Sequence, residues 1–179
     1  MVDHAEGRAL PNFRYHLDPV KSGVIVEEQT TCPVCGYVRS YAYVGPFYSV
    51  EEVTGVCPWC IADGSAAAKY DGEFIDAASC EEAAPAHFDE LIHRTPSYIG
   101  WQQEVWLSHC NDHCAFAGYV GWTEIQPIYH ELLNDLDMIK TRFRLEDSQL
   151  EYLRDGGSLQ GYLFQCVICG TYRLAADAD

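Results

Sequence analysis

The chain has 179 residues, 48% of them hydrophobic and 13% aromatic, which suits one domain or two small units sharing an interface. Such a composition supports a sizeable core and excludes a disordered chain. Eleven Lys and Arg stand against 27 Asp and Glu, for a formal net charge of −16. This balance argues against nucleic acid, which needs a basic face to displace counterions, and suits a basic protein partner.

Residues 1–23 read as an N-terminal arm, its FRYHLDP segment laid loosely on the body through Phe13 and Tyr15. MVDHAEGRALPNF lacks the apolar stretch of a secretion signal. No run approaches the length of a membrane span. The expected location is therefore the cytoplasm, where thiols stay reduced.

A short strand at Val24–Val26 leads into TCPVCG, and Tyr37–Val44, rich in Tyr and Val, reads as the strand after it. Ser49 and Glu52 have capping-box spacing, which predicts a short helix ending near Gly55. VCPWC follows, with Cys57 and Cys60. A helical turn is expected from Ser65, stopped at Gly72. Ser79 and Glu82 repeat the capping-box spacing ahead of a helix at Pro85–His93. Thr95–Trp122 is the densest aromatic stretch and encloses HCNDHC, with Cys110 and Cys114. Pro127–Lys140 is the clearest helix, with Ile128, Leu132, Leu136 and Ile139 on one stripe. A second helix, Ser148–Arg154, is expected with Asp147 as its cap. Lys140, Arg142 and Arg144, the one basic cluster, offset a helix C-terminal dipole. The chain ends with strand, knuckle and strand: GYLFQ, CVICG and TYRLA.

Eight of the nine cysteines thus fall into four close pairs. C-x2-C, twenty-one residues and C-x2-C again lies close to zinc-ribbon spacing. Four pairs supply ligands for two zinc ions. Cys32, Cys35, Cys57 and Cys60 make the first site. Cys110, Cys114, Cys166 and Cys169 make the second, with His113 or His109 as a possible replacement for one thiolate. Sequential grouping closes the shorter loops; a cross-braced grouping stays open. The fold class is α+β: zinc-ribbon-like sites, short antiparallel hairpins and several short helices. The division is an arm over 1–23, a zinc-ribbon-like unit over 24–75, and a second zinc-bearing unit over 76–179 packed on the first. One compact domain is the alternative.

The strings VGPFYSVEEV, CPWCIADGSAA, TPSYIGWQQEVWLSHC and CAFAGYVGW resemble the CbrC family of bacterial proteins, whose biochemistry is unassigned. The resemblance runs from about Leu10 to Leu174 and implies a cytoplasmic bacterial protein without supplying a reaction.

No H-E-x-x-H, Walker loop, G-x-S-x-G or Rossmann glycine pattern occurs. The chemistry therefore points first to an acidic interaction module held by two structural zinc ions, and away from an enzyme. A metal-dependent hydrolase is the second reading, with an open site near His109 or His113 and with Glu104, His109 and Asp63 as acid–base candidates. Asp63 can equally cap the following helix. A thiol redox switch or metal sensor is the third.

Overall fold

The computed structural model describes residues 8–179. Two strands, β1 (Ile25–Thr31) and β2 (Val38–Tyr43), pair antiparallel from Ile25 opposite Tyr43 to Thr31 opposite Val38, with a register shift between Glu27 and Thr30. The first C-x2-C is the turn at the far end of this ribbon. Two short helices follow, α1 (Pro58–Ala62) and α2 (Ser65–Tyr70). Pro58 sits in the first turn of α1, where its missing N–H costs nothing. A third helix, α3 (Phe88–Arg94), continues a 3₁₀ turn at Pro85–His87.

A second sheet holds β3 (Ser108–His109), β4 (Asp112–Val120), β5 (Leu159–Cys166) and β6 (Tyr172–Ala178) in that order. All three pairings are antiparallel. The connection from β4 to β5 carries α4 (Trp122–Ile125) and α5 (Leu133–Phe143). The architecture is therefore mixed α+β, with short antiparallel sheets and several short helices. Among the described residues no helix is long and apolar enough to cross a membrane.

Among the described residues three apolar clusters fill the interior. One surrounds Cys32, Cys57 and Cys60 with Val24, Ile25, Trp59, Ile61 and Phe74. The second is aromatic: Tyr98 stacks on Phe116 with centroids 4.6 Å apart, and Trp106, Tyr162 and Phe164 close around them. The third packs Leu132, Leu136 and Ile139 against Leu174 and Ala176 of β6.

The start of the chain is more firmly held than its sequence suggests. Residues 1–7 lie outside the described residues, but Tyr15 and His16 are buried. The Leu17 N–H donates to the Phe116 carbonyl at 3.0 Å, and the Phe116 N–H donates to the Tyr15 carbonyl at 2.7 Å. The edge of β4 beyond its two-residue pairing with β3 would otherwise expose unpaired backbone groups. The segment covers that edge.

Several helix expectations need correction. Ser49 caps nothing: its hydroxyl donates to the Glu51 carbonyl at 2.6 Å, and no helix forms before Gly55. Val50 is fully exposed, so a helix there would have had no face to bury. The Ser79 and Glu82 pattern also fails as a cap. Instead Asp76 caps a 3₁₀ turn at Ala77–Ser79, accepting from the Ala78 N–H at 2.9 Å. The expected continuous helix over Pro127–Lys140 is split into a 3₁₀ segment, Gln126–Glu131, and α5. Pro127 lies one residue beyond the cap of α4, where it cannot donate the next helical hydrogen bond. The segment expected as Ser148–Arg154 is a 3₁₀ helix over Asp147–Tyr152. Its capping residue is Glu146, whose N–H donates to Gln149 Oε1 at 2.7 Å.

Candidate metal centres

Among the described residues, two groups of four side chains bring their donor atoms within 4.8 Å of one another. The first is Cys32, Cys35, Cys57 and Cys60; the second is His109, Cys110, Cys166 and Cys169. The grouping is sequential in both, and no cross-braced arrangement forms. Each joins one knuckle at a strand end to a second short segment.

The two knuckles share one backbone pattern. In the first, the Cys32 N–H donates to the Tyr37 carbonyl at 2.9 Å and the Gly36 N–H to the Cys32 carbonyl at 2.9 Å. In the second, the Cys166 N–H donates to the Thr171 carbonyl at 2.9 Å and the Gly170 N–H to the Cys166 carbonyl at 3.0 Å. Gly36 and Gly170 both hold positive φ, 74° and 78°, a conformation that disfavours a side chain. Backbone donors also reach the sulfurs: Cys57 N–H to Cys32 Sγ at 3.4 Å, and Ile168 and Cys169 N–H to Cys166 Sγ at 3.4 and 3.5 Å. Such bonds favour the thiolate over the thiol.

The second halves differ. Cys57 is the N-cap of α1 and Cys60 lies in its first turn, so the helix aims both sulfurs at the knuckle. In the other group, His109 and Cys110 come from the β3–β4 hairpin. His109 pairs with Asp112, which leaves Cys110 and Asn111 as a two-residue loop. Both have positive φ, 54° and 59°, as in the primed turn that matches strand twist.

This hairpin decides which donors gather. A helix would have put Cys110 and Cys114 on one face. The strand instead carries Cys114 past the turn into β4, opposite Cys166 in register and 0% exposed within the aromatic cluster. Burial pushes its thiol up to about 12, and it packs as a small apolar residue. His109, which the sequence left open as a replacement for one thiolate, gathers with Cys110, Cys166 and Cys169, and Cys114 lies outside that group. The His109 Nδ1 lies 3.3 Å from both Cys110 Sγ and Cys169 Sγ. Nothing local in Ser108-His109-Cys110-Asn111-Asp112-His113 announces this hairpin. His113 faces elsewhere, with its Nδ1 at 3.1 Å from Ser108 Oγ.

The donor sets fit a tetrahedral dication. Zinc–sulfur bonds of 2.3 Å imply sulfur–sulfur edges of about 3.8 Å, and Cys32 Sγ lies 4.0 Å from Cys60 Sγ. Four such sulfurs cannot all ionise in the absence of a cation. Hydrogen bonds from Cys57 and Cys60 hold Cys32 far below the usual thiol range, and the same sharing pushes Cys57 up to about 11. In the second group the Thr171 hydroxyl draws Cys169 down to about 6, while Cys169 pushes Cys110 up to about 11. A bound dication would reverse the upward shifts and deprotonate every thiol it touched.

The groups differ in exposure. Cys32, Cys57 and Cys60 are buried, whereas Cys110 and Cys169 face solvent.

The acid–base candidates are not brought together. Asp63 is a local cap, accepting from the Ser65 N–H at 2.9 Å and the Ser65 hydroxyl at 2.6 Å. Glu104 is 3% exposed and accepts from Tyr48 Oη at 2.7 Å, Gln103 Nε2 at 2.9 Å and the Asp76 N–H at 3.0 Å. His109 belongs to the second sulfur group. Among the described residues no hydrogen bond joins any two of the three.

The sequence matches the family described as "Uncharacterised protein family (UPF0167)" over residues 10–178. A UPF0167 protein of Mycobacterium bovis is 40% identical over 178 residues, covering 94% of this chain and 93% of the relative. A UPF0167 protein of Mycobacterium tuberculosis gives the same figures, 40% over 178 residues with 94% and 93% covered. A Pseudomonas aeruginosa relative is 43% identical over 170 residues, covering 90% of this chain and 93% of its own. No solved structure matches the chain. A match across nearly the whole length, joined by bacterial relatives of similar size, makes this chain a member of the UPF0167 family, whose biochemistry is unassigned.

Proposed function

We propose that both groups bind zinc, that the ions are structural, and that the protein acts as an acidic interaction module. The repeated knuckle carries this reading: the same backbone turn presents a C-x2-C pair twice, each time to two further donors. The residues that would hold the ions are Cys32, Cys35, Cys57 and Cys60 in one site, and His109, Cys110, Cys166 and Cys169 in the other. Zinc would draw the thiolates into one shell and tie distant segments of chain together. With four protein donors at each ion, neither keeps an open position for catalytic water. The donor count therefore argues against the hydrolase reading.

The strings that resemble the CbrC family fit within this proposal as a finer grouping of the same bacterial proteins. A chain of net charge −16 favours a basic protein partner over nucleic acid, and thiols that must stay reduced to hold zinc favour the cytoplasm. Metal content measured with X-ray absorption on untagged protein tests the core of the reading. Two zinc ions per chain, in one all-sulfur shell and one shell of three sulfurs and a nitrogen, are expected. Fewer than two ions, or thiols joined as disulfides, would overturn it.

The exposure of Cys110 and Cys169 favours a second, narrower role for the outer site as a peroxide-sensitive switch. Two thiolates would give two electrons to the peroxide, which leaves as water, while a disulfide forms and the ion departs. Release of one ion by mild peroxide, reversed by reductant and added zinc, is the expected signature. Retention of both ions under the same treatment removes this role and leaves the structural one standing.

A further inference from the structure

A cavity of about 620 Å³ opens beside α3, between the helix and the loop over 77–85, and none of the eight gathered metal donors lines it. Its volume lies in the range of small-molecule sites. Phe88, Ile92 and Pro85 supply apolar wall, and His113 forms part of the lining. His113 is only 2% exposed. Its ring is held edge-on by Tyr15, with centroids 6.1 Å apart, and lies against Phe88 at 5.8 Å.

The hydrogen bonds around Ser108 assign the tautomer of that ring. Ser108 Oγ lies 3.1 Å from the Glu81 carbonyl, an atom that can only accept, so the single hydroxyl proton is spent there. His113 Nδ1, also 3.1 Å from Ser108 Oγ, must then carry the imidazole proton and donate. Nε2 is left with its lone pair, and among the described residues no hydrogen bond uses it. His113 Nε2 is not one of the fully buried atoms without a partner, so it keeps contact with solvent and can meet a donor. It lies on a residue that borders the cavity.

Among the described residues the mouth keeps an unpaired negative charge. Glu81 is occupied by Arg173, at 3.3 Å, and by the Ser108 N–H, at 2.7 Å. Asp89 is paired with His93 at 2.9 Å. Glu82 is exposed and has no cationic partner among the described residues. The Cys80 thiol, pushed up to about 12 by burial, stays neutral in the wall.

We infer that this cavity binds a small organic cation: a flat apolar body with a hydroxyl or N–H donor at its inner end and an ammonium at its outer end. The inner donor meets His113 Nε2, the body lies on Phe88, and the ammonium meets Glu82. The binding is non-covalent and independent of either metal group.

Tyramine has this layout and serves as the probe, added to the full chain and followed by the ¹⁵N resonances of the His113 ring. Saturable movement of the Nε2 signal is expected. Phenethylamine, which lacks the inner hydroxyl, should bind about tenfold more weakly, the cost of one lost hydrogen bond. 4-Hydroxyphenylacetate, which reverses the outer charge, should not bind. His113→Asn keeps a donor where Nδ1 stood and deletes the Nε2 acceptor, so it should lose tyramine binding while still folding. Glu82→Gln, on the surface, should weaken it several-fold. An unmoved His113 signal overturns the proposal, as does equal affinity for the three probes or for wild type and Glu82→Gln.

Discussion

The proposed place of His109 rather than Cys114 in the second donor group predicts opposite outcomes for two single substitutions, His109→Ala and Cys114→Ala. Cys114 is wholly buried among apolar neighbours. Trimming it to alanine removes one sulfur and leaves a small void, a loss of about 1–2 kcal/mol. For a chain of this size that lowers the melting temperature by about 2–8 °C. Zinc content should stay at two. His109 lies half-buried on a hairpin, so its truncation costs little packing and acts through the metal. If zinc affinity at that site falls a hundredfold, the stabilisation lost under saturating metal is about 2.7 kcal/mol. The assay is zinc per chain after dialysis against a chelator of known affinity, followed by cobalt substitution. The charge-transfer intensity should report seven thiolates, four in one group and three in the other, and His109→Cys should raise it by one seventh. If Cys114→Ala loses an ion while His109→Ala keeps two, the hairpin register, and with it the reading of the whole site, is wrong.

Four further outcomes follow from particular residues. Cys35→Ser should melt the region around the first knuckle, because a structural zinc contributes about 10–16 kcal/mol of apparent binding energy and whole domains only about 5–15; an unchanged melting curve would count against a metal there. Gly36→Ala should cost about 1 kcal/mol in chemical denaturation. A Cβ at Gly36 meets nothing within 4 Å, so the loss comes from its φ of 74° alone. His16 is buried, and burial lowers its pKa to about 4 from an ordinary value near 6.5. The unfolded chain therefore takes up the proton first, and the His16 contribution, complete above about pH 6.5, should fall away toward pH 4 by about 3 kcal/mol. His16→Gln should flatten that part of the stability profile, read by urea denaturation at pH 7 and pH 5. Glu104→Gln should destabilise by about 1.5–3 kcal/mol, since three donors converge on that carboxylate; equal melting of the variant and wild type would contradict its bridging role.

Sequence reasoning succeeded where one residue type dictates one local geometry. The C-x2-C pairs, the glycines after two of them, the Val- and Tyr-rich strands and the Leu136–Ile139 stripe all lie where that logic puts them. It failed where the outcome depended on partners distant in the chain. Ser49 and Glu52 have the spacing of a helix start, but the backbone at Tyr48 instead pairs with Glu73, its N–H 2.7 Å from the Glu73 carbonyl. The Asp147 cap lost to Glu146 because Gln149 could reach back one residue further. Cys114 was read by helical spacing because nothing local announced that Cys110 and Asn111 would take left-handed φ. Once they do, the two-residue period of a strand rather than the 3.6-residue period of a helix decides which side chains meet.

That difference in period also explains why the second group draws a donor from position 109. A two-residue hairpin loop places its strand-end residue and first loop residue side by side, so adjacent positions rather than a spaced cysteine pair must supply the donors. Histidine at 109 reaches across from the strand end, and Cys110 reaches from the loop. The arrangement then depends on holding that hairpin in place, and the chain does so from its opposite side. Asp112, paired with His109 in register, accepts from Tyr15 Oη at 2.8 Å and is ion-paired to Arg14. Hydrogen bonding from Tyr15 offsets the burial of that carboxyl and holds it below the usual carboxylate range. The N-terminal segment thereby acts as a clamp on the β3–β4 turn. Asp112→Asn, which keeps the shape and drops the charge, should therefore weaken zinc at the second group while leaving the first untouched. Competition with a chelator reads the two sites separately, and equal weakening of both would show that the clamp acts on the fold as a whole.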